Sequence, residues 1–201
     1  MLQFRPFVPY RDRPLCFLDV ETTGTKPGYH EVIEVGFRHS TKGGLCLQVQ
    51  PQHIERAEPE ALKVSGYNTS DWADARPFKD VVSRITEFVE DATLVGHNIC
   101  GFDVPMLQGE YENLGLEHDH LFRDTIDTQG LARLFLVPLG LNRIGMEACM
   151  KFIGEEYTDA HNAYTDAIFA EKLFTYISDN LKWHGRIQGK RIQEALFSGD
   201  E

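Results

Sequence analysis

Asp19 and Glu21 stand two residues apart at the end of the apolar run 15–20, so in a strand both side chains leave the same face. Like charges held that close repel, and crowding them away from water is costly unless a cation neutralises them. A divalent metal is the simplest partner; the other reading is a strand end whose acids are solvated. A further acid, Asp103, follows Leu94-Val95-Gly96-His97-Asn98-Ile99-Cys100-Gly101-Phe102, where a strand gives way to a loop and the acid opens a helix. Taken alone, Asp103 reads equally as a helix cap. In His161-Asn162-Ala163-Tyr164-Thr165-Asp166 a histidine and an acid are five residues apart, about 140° around a helix, so they cannot share one helical stripe. His161 is therefore expected at or just before a helix start, free to move, with Asp166 held inside the helix; the bland alternative is a surface histidine and an outward acid. Oxygen donors such as those of Asp19 and Glu21 suit hard divalent cations.

Positioning these groups requires strands and helices in alternation. Residues 15–20, 31–39 and 44–50 cluster or alternate apolar positions between glycine-bearing turns, as a three-stranded meander would. Phe78, Val81, Val82, Ile85, Phe88 and Val89 recur at helical spacing within 77–90, after a proline suited to a first turn. Residues 93–96 and 123–126 read as short strands, and 103–114, 128–135, 142–152 and 162–178 as helices, with Gly140 and Gly154 as punctuation. The order βββαβαβααα implies an α/β layer fold, a mixed central sheet of about five strands flanked by helices. Residues 1–14, with three prolines and three arginines, are expected as an extended arm.

With 201 residues, 42% hydrophobic and 25% charged, the chain can build one sizeable core. Its net charge of −11 is unlike a nonspecific nucleic-acid coat, an objection that fades where carboxylates converge on cations, because the metal then sets the potential that a phosphate meets. Cys16, Cys46, Cys100 and Cys149 form no CxxC and are read as reduced core residues. No apolar run nears the ~20 residues needed to span a bilayer and no signal-peptide core opens the sequence, so the expectation is a cytoplasmic protein with no membrane partner.

The segments LDVETTG, GHNICGFD and HNAYTDA, in that order, resemble the three exonuclease motifs of the DnaQ-like DEDD family, histidine subtype. The resemblance spans residues 15–170, and 58–67 is also similar to the proofreading subunits of bacterial replicases. It implies an RNase H-like (DnaQ-like exonuclease) fold, with residues 15–180 as the exonuclease domain and 181–201 as a basic C-terminal helix or tail. It further implies that Asp19, Glu21, Asp103 and Asp166 ligate two divalent cations, Mg²⁺ or Mn²⁺, with His161 as the base that activates water. Asn stands at 162, four residues before Asp166, where relatives with a catalytic tyrosine carry it, so the histidine subtype is indicated. The activity implied is 3′-to-5′ removal of nucleoside monophosphates from single-stranded or frayed DNA 3′ ends. Two cations about 3.5 to 4 Å apart would neutralise the attacking and leaving oxygens. By the same resemblance, backbone groups at Thr22 and Thr23 and side chains near Glu60, Asn98 and Phe102 would hold the terminal nucleotide; Phe102 also reads as a core aromatic. Ser65 occupies a position where replicative relatives often carry histidine, so a contact to the terminal sugar or phosphate would differ here.

Two rival functions remain open on sequence: an exoribonuclease of the same family, since the motifs do not report how a 2′-hydroxyl is received, and a catalytically silent nucleic-acid-binding replisome module. Lys182, Arg186, Lys190 and Arg191 with Trp183 could meet a phosphate backbone or form a solvated helix. Gln193, Leu196 and Phe197, in residues 193–197, resemble peptides that dock on sliding clamps, which would imply a sliding clamp or polymerase as partner; the alternative is a terminal amphipathic turn. His118-Asp119-His120 reads as a surface loop, and His97 as support for the loop at Asn98.

Overall fold

A computed structural model describes residues 12–158 and 161–197, the side chains of 181–197 excepted. The expected arm therefore falls largely outside the described residues, as do the basic side chains from Lys182 onward and the clamp-like side chains of 193–197. Strands β1 (Leu15–Thr22), β2 (Val32–His39) and β3 (Gly43–Gln48) form the antiparallel meander. Strands β4 (Thr93–Gly96) and β5 (Thr125–Asp127) add in parallel on the other side of β1, giving one mixed five-stranded sheet in the order β3-β2-β1-β4-β5. The helices are α1 (Pro59–Val64), α2 (Phe78–Val89), α3 (Asp103–Asn113), α4 (Thr128–Phe135), α5 (Met146–Ile153) and α6 (Ala163–Phe197).

The two faces of β1 follow from its alternation. Cys16, Leu18 and Val20 enter a core with Val35, Phe37, Phe88, Leu107 and Tyr111, which seats α2 and α3 on one face. Phe17 and Val95 meet Ala167 and Ala170 of α6 on the other. Asp19 and Glu21 share the parity of Phe17 and so lie on the α6 face. A second apolar cluster, including Ala132, Leu136, Cys149, Met150, Phe169 and Leu173, binds α4 and α5 to α6.

The start of α6 lies directly on β2. A Cβ at Gly36 would stand 2.1 Å from the carbonyl carbon of Ala163, and one at Gly44 would stand 2.3 Å from the Tyr164 hydroxyl. Only glycine lets helix and strand come this close, and this approach sets where residues 161–166 fall relative to β1.

Several expectations are corrected. Helix α1 was not anticipated: its six residues bury no side chain fully, so no apolar stripe marks it, although Pro59 opens it. Helix α5 begins at Met146 rather than 142, after an irregular stretch with Gly140 left-handed and Gly145 as the N-terminal flank. Helix α6 continues well past residue 178. Cys16 and Cys149 are buried as expected, but Cys46 and Cys100 are exposed; all four are free. Asp119 and His120 sit on the surface, whereas His118 packs its ring against Tyr111 and Phe122. Among the described residues no helix is long and apolar enough to cross a membrane.

Gly36→Ala must displace the backbone at Ala163, and overpacking of this kind costs about 1–3 kcal/mol or more. Thermal unfolding should show a midpoint lowered by roughly 2–12 °C, since each kcal/mol moves a domain of this size by about 2–4 °C; an unchanged midpoint would show that α6 yields freely.

Candidate active site

Asp19 and Glu21 project from the last residues of β1, paired across the strands with Gly36 and Glu34 of β2. The β1–β4 ladder ends at Phe17 opposite Val95, and beyond it the backbone N–H of Val20 donates to Asp103 Oδ1 at 2.9 Å. Asp103 is therefore not the N-cap: that position is Phe102, and Asp103 is the first helical residue of α3, 2% exposed, with its carboxylate on the β1 backbone between the two strand acids.

Asp166 lies in the first turn of α6 and is 8% exposed. Its Oδ2 accepts the backbone N–H of His161 at 2.9 Å, and the Tyr157 hydroxyl approaches Oδ1 at 3.4 Å. His161 is exposed, two residues before the helix, and adopts a left-handed φ of +65°. One potential ligand atom each from Glu21, His161 and Asp166 lie within 4.8 Å of one another. Three segments distant in sequence thus converge on one point, and the five-residue offset of His161 from Asp166 is closed by a bend rather than by a helical stripe.

The electrostatics of this point are unfavourable without a counter-charge. Burial, then repulsion from Asp103, Asp166, Glu21 and Glu34, holds the Asp19 carboxyl well above the ordinary range. Burial and the neighbouring acids push Glu21 up to about 8. Burial pushes Asp103 up to about 7 against the restraint of the Val20 N–H. Asp166 is also raised by burial, with the His161 N–H opposing. Every charge acting on Asp19, Glu21 and Asp103 is a carboxylate. An oxygen-rich, acid-only cluster of this kind fits hard divalent cations, which would remove the repulsion that burial magnifies.

The residues expected to touch substrate are placed unequally. Asn98 is exposed in a left-handed turn (φ +65°) whose backbone N–H donates to Asp127 Oδ1 at 3.0 Å. Phe102 is half-buried, packed against the main core beside Asp103. Glu60 is exposed in the first turn of α1. Ser65 is buried, its hydroxyl donating to the Leu62 carbonyl at 3.3 Å. Thr22 donates its hydroxyl to the Gly24 carbonyl. Thr23 is fully buried with its N–H, carbonyl and hydroxyl each paired inside the protein. His97 supports its loop as expected, reaching the Thr128 hydroxyl at 3.1 Å and the Ile144 carbonyl at 2.8 Å.

Sequence reasoning passed over Glu34 and Tyr157. Glu34, 4% exposed, accepts the Asn162 amide and the Ala163 backbone N–H, both at 2.9 Å on Oε1. Its signal was available: one acid inside the otherwise apolar run Val32-Ile33-Glu34-Val35-Gly36-Phe37. Tyr157 stands in an irregular loop and had no such marker.

A mixed sheet in this order, with helices on both faces and acids at the end of its central strand, is the RNase H-like exonuclease fold. E. coli exonuclease I in complex with a dT13 oligonucleotide is similar at a TM-score of 0.68 and 19% identity, over 82% of this chain and 40% of that one. Cell-death related nuclease 4 (CRN-4) is similar at 0.67 and 14% identity, over 83% and 64%. The chain belongs to the exonuclease family RNase_T, whose profile matches residues 16–174. It is 30% identical over 187 residues to the PolC-type DNA polymerase III of Streptococcus pneumoniae serotype 2, and 26% identical over 195 residues to that of Staphylococcus aureus (strain bovine RF122). These alignments cover 90% and 96% of this chain but only 12% and 13% of the polymerases.

The raised carboxyls fix the sign of a pH effect. Unfolded, these acids titrate near about 4; folded and metal-free, Asp103 and Glu21 keep their protons up to about 7 and about 8. The folded state thus binds more protons across that window, and stability must fall as pH rises through it. Calorimetry of the metal-free protein should give a lower thermal midpoint at pH 8 than at pH 5, and Mn²⁺ should restore more at pH 8. A metal-free midpoint that climbs from pH 5 to pH 8 would contradict this.

Proposed function

We propose that the chain is a 3′-to-5′ exonuclease that releases nucleoside monophosphates from DNA 3′ ends, with Asp19, Glu21, Asp103 and Asp166 as ligands of two divalent cations, Mg²⁺ or Mn²⁺, and His161 as general base. One observation carries the reading: at the end of β1 Glu21, His161 and Asp166 come together, with Asp103 bonded to the Val20 N–H and Asp19 repelled by the surrounding carboxylates, so that residues of all three motif segments converge. When bound, the cations would supply neutralisation of the carboxylates and of the charge on the attacking and leaving oxygens.

The chain's own residues account for the rest. Asp19 and Glu21, fixed on a strand, and Asp103, fixed to the Val20 N–H, set the place of the scissile phosphate. His161, held through its backbone N–H by Asp166, takes a proton from the attacking water as its oxygen bonds to phosphorus. The bond from phosphorus to the 3′-oxygen of the shortened strand breaks, and that oxygen takes a proton from solvent. Exposure of His161 gives the abstracted proton a direct exit. In this reading Asn98 and Phe102, at the start of α3, and Glu60 on α1 would contact the terminal nucleotide, with Thr22, Thr23 and Ser65 shaping the loop behind it.

DNA is favoured as substrate by the PolC-type DNA polymerase relatives and by the oligonucleotide complexes of E. coli exonuclease I. The zinc-bound form of that enzyme's single-stranded DNA complex supports a metal requirement.

Digestion of a 3′-labelled DNA strand should release labelled mononucleotide in the first turnovers, whereas 5′ label should remain on a shortening ladder; release of 5′ label first would reverse the polarity. EDTA and Asp19→Ala should each abolish the activity. Positioned proton transfer is worth about 10²–10⁴ in rate, so His161→Ala should lower kcat by that order with KM for DNA little changed. Equal turnover by His161→Ala would remove the base from the mechanism, and faster digestion of a matched RNA strand would reassign the substrate.

A further inference from the structure

Glu34 is an acid near the start of β2, 4% exposed, where burial without partners is costly. Two of its three donors come from the segment next to His161, the Asn162 amide and the Ala163 backbone N–H, which converge on Oε1 at 2.9 Å; the third is the Cys46 thiol of β3. Asn162 in turn caps α6 with its own Oδ1, which accepts the Thr165 backbone N–H at 3.1 Å and its hydroxyl at 3.2 Å. The Asn162 carbonyl accepts the Asp166 N–H at 3.0 Å, and Asp166 returns a bond to the His161 N–H. The chain 161–166 is thus a closed ring of hydrogen bonds that Glu34 ties to β2 through residues 162 and 163, where Gly36 admits the helix, while Tyr164 adds bonds to Arg38 and Cys46.

His161 needs such an attachment. It adopts the left-handed region that side-chain-bearing residues enter at a cost of about 1–3 kcal/mol, and they stay there only where the surroundings hold them. Its ring is exposed, so packing does not fix it; the backbone must. Glu34 also sits opposite Glu21 in the β1–β2 ladder, so one residue references both the strand that carries Asp19 and Glu21 and the helix that carries Asp166.

We propose that Glu34 is a positioning residue of the hydrolytic site, acting as the acceptor that docks Asn162 and Ala163 on β2 and thereby aims His161, without ligating metal or touching substrate. The proposal rests on the nuclease reading for its kinetic consequence, but its structural half does not. As acceptor, the side chain's oxygen matters more than its charge, so Glu34→Gln keeps the Oε1 contacts while Glu34→Ala loses them. Asn162→Asp keeps the cap on Thr165, withdraws the donor and sets a second carboxylate against Glu34.

The test compares wild type with Glu34→Ala, Glu34→Gln and Asn162→Asp in three measurements: single-strand DNA digestion, Mn²⁺ affinity by water-proton relaxation, and NMR signals of the His161 ring and the Ala163 amide in metal-free protein. Glu34→Ala and Asn162→Asp should lower kcat at least tenfold with KM and Mn²⁺ affinity within about twofold, and should move the His161 and Ala163 signals. Glu34→Gln should stay within about threefold of wild type with those signals near their original places. Unchanged kcat in Glu34→Ala, a loss of Mn²⁺ affinity parallel to the loss of kcat, or Glu34→Gln as impaired as Glu34→Ala would each overturn the proposal. Should Glu34→Ala fail to fold, Asn162→Asp and Glu34→Gln decide it by the same criteria. A wild type without nuclease turnover would refute the nuclease reading alone; the NMR shifts would then decide whether Glu34 holds residue 161, and unmoved signals would refute that.

Discussion

Repulsion among buried carboxylates is the constraint that organises this molecule. Carboxylate oxygens of Glu21 and Asp166 come within 4.8 Å, a separation at which two full charges repel by roughly 3 kcal/mol at an effective dielectric constant near 20. The fold offsets part of this. Asp103 is the first residue of α3 and Asp166 lies in the first turn of α6, so both acids sit at positive helix ends. Such an end is worth about 0.3–1 kcal/mol to an acid. Hydrogen bonds from Val20 and His161 add to it. These terms do not cancel the repulsion of four acids, which leaves protonation or cations to complete the site.

The need to hold mutually repelling groups explains why the supporting structure is so closely joined. Strand β1 is central in the sheet, flanked by β2 and β4 and covered on both faces, which makes it a poor hinge and a good base for Asp19 and Glu21. Its ladder with β4 stops early, and the Val20 N–H left over is the one that Asp103 takes. The irregular end of the sheet therefore supplies the free donor that aligns the third acid. Gly36 then lets α6 approach β2 closely enough for Glu34 to reach its first N–H.

Much of this was legible in the sequence because the signals are local. The paired acids on a strand, the three motif segments and the periodicity of residues 77–90 each lie within a short window, and each corresponds to an observed element. What escaped depends on tertiary partners. The nitrogen donors to Glu34 come from residues 128 and 129 positions away, so its place on an apolar strand gave a sign of interest but no assignment. Helix α1 has no fully buried residue, hence no stripe to detect. Cys46 and Cys100 have apolar neighbours in sequence yet are exposed, because apolar company along a chain does not report how far tertiary packing covers a residue.

His161 shows where sequence geometry reached its limit. Its offset from Asp166 correctly placed it outside the helical stripe and before the first turn, and implied freedom at that point. The structure divides that freedom. The main chain at 161 is bent into a left-handed conformation and tied by its N–H to Asp166, while the ring stands in solvent. A general base of the kind proposed for His161 would need both properties: a fixed origin, so that the imidazole reaches the same point in each turnover, and an open side, so that the proton leaves without crossing the carboxylates. A histidine within the helix next to Asp166 would have the first but not the second. A histidine on a free loop would have the second but not the first. The bend at residue 161, anchored to the sheet through residues 162 and 163, supplies the two together.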